Sequence, residues 1–134
     1  MNNKVVWITG ASSGIGEALV YEYNKAGARL IISSRNRDEL FRVKTNCKNP
    51  VNIHVLSLDL ENTTALSGKA EEAIRIYGHI DILINSGGIS QRGLALETDL
   101  ETEQRLMNVN FWGTTILSKA VLPNMIANGG GKIG

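Results

Sequence analysis

The stretch Thr9-Gly10-Ala11-Ser12-Ser13-Gly14-Ile15-Gly16 has residue types and spacing suited to an anion. It follows a short apolar run and opens a segment with helical spacing. Gly10 permits a tight turn, Gly14 lets backbone come close to a pyrophosphate, and Gly16 removes a side chain where helix must meet sheet. The free N–H groups and dipole of a helix N-terminus then favour negative charge, so Gly10, Ser12, Ser13, Gly14, Ile15 and Gly16 form a candidate phosphate cradle. The competing reading is a glycine-rich turn kept for packing alone. The strand–turn–helix context favours the cradle.

A second chemical signal lies at Ser33-Ser34-Arg35-Asn36-Arg37, with no acid until Asp38. An acid about 20 residues beyond the glycines would bind a ribose 2′-hydroxyl and repel a 2′-phosphate. Here Arg35 can pair bidentately with a phosphate and Ser34 can add a hydroxyl donor. The spacing therefore predicts NADP(H) in preference to NAD(H), against the plainer reading of a solvated basic turn.

The remaining candidates read as structural. Tyr21 and Lys25 stand one helical turn apart, the spacing at which an ammonium can lower a phenol pKa, but Lys25 falls at the far end of its helix from the glycines. His54 and His79 have no cysteine or acidic cluster around them, and no metal site is expected. Cys47 has no obvious base partner. Glu71-Glu72 and Glu101/Glu103 read as solvated helix faces, and Trp7 and Trp112 as packing residues.

The elements needed to position these residues alternate. Lys4–Thr9 is a nearly continuous apolar run, as expected of a strand buried on both faces. Ile15, Ala18, Leu19, Tyr23 and Ala26 then fall at helical spacing, ended by Gly27. Leu30–Ser33 is a second strand and Asp38–Cys47 a second helix. Val51–Leu58 is a third strand, followed by a helix over Ala65–Tyr77 closed by Gly78. Ile80–Ile84 is a fourth strand. From Leu100 to Met125 the spacing is helical again, with a break expected near Asn110 and a kink or cap at Pro123. Lys132-Ile133 could open a fifth strand. Such alternation implies right-handed crossovers and a parallel sheet with helices on both faces.

Composition narrows the function class. The 134 residues carry a net charge of +1, 14 glycines and one cysteine. With neither a basic stripe nor a charged tail, nothing points to nucleic acid or an anionic membrane. No apolar run approaches the roughly 20 residues of a membrane span, and the N-terminus does not read as a signal peptide. A single cysteine fits a reducing cytoplasm.

Taken with its order along the chain, the Thr-Gly-x-x-x-Gly-x-Gly pattern resembles the short-chain dehydrogenase/reductase family. Asp59-Leu60 matches the family's position for an acid that accepts from the adenine amino group. Asn85-Ser86-Gly87-Gly88 resembles an Asn-Asn-Ala-Gly element that lets backbone approach the cofactor riboses and ties strands together, with small residues kept at Ser86 and Gly87. Asn108-Val109-Asn110-Phe111-Trp112-Gly113 resembles the segment in which Asn110 would be the catalytic asparagine, holding a water that relays protons to an active-site lysine. Gly88-Ile89-Ser90-Gln91-Arg92 resembles a membrane-associated carbonyl/steroid-reductase subgroup, the member-7 type. The resemblance covers essentially the whole chain. It implies that residues 1–134 form a single NADP(H)-binding domain, an α/β Rossmann-type doubly wound parallel sheet truncated after about four strands.

The implied function is hydride transfer between NADP(H) and a small-molecule alcohol or carbonyl, in a homo-oligomer. The family's serine, tyrosine and lysine would follow Gly134, so a polypeptide of these residues alone is expected to be inactive. It is also expected to be marginally stable or to associate, through an uncovered edge of the fourth strand or the helices from Leu100 to Met125. A non-catalytic nucleotide-binding or interaction module is the alternative, and an epimerase-like relative a third reading.

Overall fold

The computed structural model describes residues 2–86, 100–127 and 129–134, with residues 100–112 as backbone only. Strands and helices alternate: β1 (Val5–Thr9), α1 (Gly14–Lys25), β2 (Arg29–Ser33), α2 (Arg37–Asn46), β3 (Ile53–Val55), α3 (Thr63–Tyr77), β4 (Ile82–Asn85), α4 (Leu100–Ala127) and β5 (Lys132–Ile133). The strands form one sheet of order β3-β2-β1-β4-β5, and every pairing is parallel. The chain steps outward from β1 to β2 and β3, then crosses back to β4 on the other side of β1. That reversal opens a crevice at the carboxyl ends of β1 and β4, where open α/β sheets bind ligands.

Side-chain alternation along the strands divides the core into two layers. Val5 and Trp7 face α3 and α4, packed with Ile31, Leu66, Ala70, Leu83, Leu117 and Val121. Val6 and Ile8 face α1 and α2, packed with Val20, Leu30, Ile32, Leu40 and Val43. All five residues of β1 are buried. A central parallel strand is covered on both faces, and this explains its unbroken apolar run. Trp7 also spends its one polar atom, as Nε1 donates to Ser33 Oγ at 2.9 Å.

Several expectations change in detail. The buried stripe of α1 is Gly16, Val20 and Asn24; Ala18 and Ala26 are exposed and Leu19 and Tyr23 only half-buried, while Ile15 is 56% exposed. The cause is Gly16, which must face the sheet because the Gly10 carbonyl occupies the place of a Cβ. Positions one turn apart follow it inward. Asn24 is tolerated there because its amide donates to Asn49 O at 2.9 Å and accepts from Asn49 N at 3.0 Å.

The third strand is shorter than Val51–Leu58. Pro50–Asn52 forms a 3-10 turn, although Leu56 N and Leu58 N still donate to Ile32 O and Ser34 O at 3.0 and 2.9 Å. No break occurs near Asn110: α4 runs unbroken from Leu100 through Pro123 to Ala127. Its C-terminal half is buried against α3 through Leu117, Val121 and Met125, and packing of this kind overrides weak local propensity. The apolar edge expected beyond β4 is paired with β5 and extended by Gly134 N donating to Leu83 O at 2.8 Å.

The start of α2 is fixed by one side chain. Asn36 Oδ1 accepts from Glu39 N at 3.2 Å, satisfying one of the orphan donors of the first turn. Replacing Asn36 with alanine is expected to cost about 1 kcal/mol, measured as a lower urea midpoint with an unchanged slope.

Candidate functional site

The candidate residues lie on one level, at the carboxyl ends of the strands. Thr9 is in register with Ser33 on one side and Asn85 on the other. The loop after Thr9 turns through Gly10 at φ 65° and enters α1 at Gly14 with φ 57°, a left-handed conformation that glycine adopts without strain. Ala11 N donates to Ser33 O at 3.1 Å, anchoring the loop to β2. Ser13 is the N-cap of α1 in an extended conformation, and its side chain makes no capping bond. The N–H groups of Ser12 and Ser13 meet no acceptor among the described residues, and those of the first turn of α1 have no partner within the helix. A set of unspent donors, the positive end of a helix and open space around Gly14 together suit an anion.

The next wall is built by β4. Ser86 is buried, and its hydroxyl donates to Thr9 O; its N–H reaches the same carbonyl at 3.3 Å. The end of β4 is thus tied to the end of β1. Ser86 Oγ also lies 2.7 Å from where a Cβ on Gly16 would sit, so loop, helix and β4 meet at a point with no room for a side chain. Beside it, Asn85 Oδ1 is buried and meets no hydrogen-bond donor among the described residues. Native proteins rarely leave a buried acceptor unpaired. This one sits at the crevice and fits a donor from a bound ligand.

The third wall comes from the segments after β2 and β3. A cavity of about 260 Å³ is lined by Arg35, Ser57, Leu58, Asp59, Asn62, Ala65, Leu66 and Lys69. Arg35 makes no ion pair among the described residues. Ser34 is engaged locally, its hydroxyl accepting from Asn36 N at 3.2 Å. Asp59 Oδ1 accepts from Glu61 N at 2.9 Å, which holds the carboxylate at the rim. Leu60 packs against α4, with its Cβ 3.0 Å from where a Cβ on Gly113 would sit. Ser57 and Lys69 were not singled out from sequence. For Lys69 the signal is helical spacing, since Ala65, Leu66 and Lys69 share one face of α3; Ser57, between β3 and α3, carries no such signal.

Gly87 and the run to Arg92 lie outside the described residues, as do the side chains of Asn110 and Trp112. The backbone at Asn110 belongs to α4.

The residues set aside from chemistry have structural partners. Lys25 pairs with Glu22 at 3.9 Å. Tyr21 OH donates to Glu17 Oε2 at 2.7 Å, and burial, then that carboxylate, pushes its pKa up. His79 Nε2 lies 3.0 Å from Asp81 Oδ2, and the same carboxylate oxygen accepts from Val5 N at 2.8 Å. Cys47 is buried and its thiol donates to Val43 O at 3.3 Å; burial raises its pKa, the opposite of what a reactive thiolate needs. No group of three metal-ligating side chains occurs among the described residues, and no described helix is long and apolar enough to cross a membrane.

A parallel sheet with a strand-order reversal and a glycine loop opening the first helix define a dinucleotide-binding Rossmann-type domain. Residues 4–133 match the family described as short chain dehydrogenase. The chain belongs to that family, whose members are oxidoreductases that bind nicotinamide cofactors.

Among its relatives, "Dehydrogenase/reductase SDR family member 7" of Mus musculus is 45% identical over 99% of this chain and 41% of its own length. The "Dehydrogenase/reductase SDR family protein 7-like" of Anopheles gambiae is 43% identical over 99% of this chain and 44% of its own. The chain therefore spans less than half the length of these relatives. A hydroxysteroid dehydrogenase from Escherichia coli superimposes with a TM-score of 0.81 at 30% identity, covering 98% of this chain and 53% of that structure. A metagenomic short-chain oxidoreductase in complex with NADP gives 0.82 at 27% identity, covering 99% and 61%.

Proposed function

We propose that this chain supplies the cofactor-binding part of an NADP(H)-preferring oxidoreductase that interconverts an alcohol and a carbonyl. The observation that carries the reading is the conjunction of an open phosphate loop with a cavity bearing Arg35 and no acid at the end of β2. The unspent N–H groups from Ser12 to Gly16 take the diphosphate, with Gly14 open to its approach and Ile15 exposed beside it. Arg35 takes the 2′-phosphate, and Lys69 across the cavity adds positive charge. Asp59 accepts from the adenine amino group, Leu60 lies next to it, and Asn85 and Ser86 line the ribose side, to which the family resemblance also assigns Gly87. The buried acceptor on Asn85 gives the cofactor a donor's place. When bound, the nicotinamide supplies or accepts the hydride.

Asn110 is the catalytic residue assigned by resemblance, and a polypeptide of these 134 residues alone is inactive. The substrate is a small molecule, and the working protein is a cytoplasmic homo-oligomer. The NADP-bound short-chain oxidoreductase among the structural neighbours supports the cofactor class. The direct test is titration of the whole gene product with NADPH and NADH, followed by nicotinamide fluorescence. NADPH is expected to bind at least about tenfold more tightly, a difference of 1.4 kcal/mol. Equal affinities would reject the assignment of the 2′-phosphate to Arg35.

A further inference from the structure

The guanidinium of Arg42, an α2 residue, reaches across to the loop between β1 and α1. Its Nη2 donates to Ser12 O at 3.1 Å and to Glu17 Oε1 at 3.0 Å. Its Nη1 donates to Glu17 Oε2 at 3.2 Å and its Nε to Glu39 Oε2 at 2.6 Å. Each of the three nitrogens of the fork thereby donates at least one hydrogen bond, and the loop is tethered to a helix that follows it by a whole strand.

Two consequences bear on anion binding. In a trans peptide the carbonyl and the following N–H point in opposite directions. Holding Ser12 O toward Arg42 therefore turns the Ser13 N–H away from α2, and this donor meets no acceptor among the described residues. The second consequence is electrostatic. Glu17 lies in the first turn of α1, where a carboxylate suits the helix dipole but opposes a second anion at the same helix end. Hydrogen bonds from Arg42 and then Tyr21 hold its carboxyl below the usual range, so it stays ionised. The two-pronged contact from Arg42 offsets that charge locally.

We propose that Arg42 is a positioning residue for diphosphate recognition, turning the Ser12–Ser13 peptide toward the phosphates and offsetting the Glu17 charge beside them. The proposal rests on the loop being a dinucleotide site, and its test separates the two. In the whole gene product, NADPH affinity is measured by calorimetry for wild type, R42Q, R42K and E17Q/R42Q. Adenosine 2′-monophosphate, which has the adenine and 2′-phosphate but no diphosphate, is measured in parallel.

R42Q is expected to weaken NADPH binding about tenfold, the effect of one charged hydrogen bond, while 2′-monophosphate binding stays within about twofold. E17Q/R42Q should recover part of the loss, and R42K, which keeps the charge without the fork, should fall between wild type and R42Q. If R42Q does not fold, R42K read against E17Q carries the same comparison. Equal losses for both ligands, or R42Q binding NADPH as wild type does, would overturn the proposal. Failure of the wild type to bind either ligand would instead overturn the proposed function, and this inference with it.

Discussion

Arg35→Asp is expected to lower NADPH affinity by roughly 100-fold while leaving NADH binding unchanged or slightly tighter. Two effects add. The substitution removes a charge-assisted contact to the 2′-phosphate, and it places a carboxylate where that dianion would sit. An acid at the end of the second strand also supplies the acceptor that a 2′-hydroxyl uses. Arg35 makes no ion pair among the described residues, so its loss leaves no buried partner behind and the fold should be unaffected. Lys69 lines the same cavity and should keep residual NADPH binding above zero. Paired titrations of both cofactors check the prediction. A parallel loss for NADPH and NADH would mean that Arg35 holds the cavity together and does not read the phosphate.

The sheet and the glycine loop were legible because both rest on local rules. A central strand buried on two faces must be apolar throughout, and Val5–Thr9 shows it directly. The loop's glycines are required by backbone geometry, and their order survives in the sequence. Long-range geometry was harder to read. Ile15 looked like part of the buried stripe of α1, but the position of Gly10 carbonyl against Gly16 rotates the helix and leaves Ile15 exposed. The tether from Arg42 to Ser12 joins residues 30 apart in sequence, and no periodicity announces it. Similarly, a break was expected near Asn110, and asparagine and the nearby Gly113 are poor helix formers. The small residue at 113 instead serves packing, since a Cβ there would come within 3.0 Å of Leu60. A helix end and a close contact between a helix and a neighbouring loop leave the same mark in one sequence.

Gly16→Ala is expected to be the most damaging single-methyl change in the site. The added Cβ would fall on the Gly10 carbonyl closer than real atoms approach, and within 2.7 Å of Ser86 Oγ. The serine can rotate only by giving up its bond to Thr9 O, and the carbonyl is backbone, so the strain must move the loop or lift α1 from the sheet. A cost of about 3 kcal/mol is expected from overpacking of this kind, a large share of a small domain's stability. Cofactor affinity should fall with it, because the displaced loop is the one that presents the phosphate donors. Gly14→Ala provides the contrast. Its Cβ would meet nothing within 4 Å, and its φ of 57° costs an alanine only about 1 kcal/mol. Urea unfolding of the two variants should therefore separate them by about 2 kcal/mol. If Gly16→Ala were as mild as Gly14→Ala, the loop would be yielding freely. The meeting of β1, α1 and β4 at Gly16 would then not be what holds the anion donors in place.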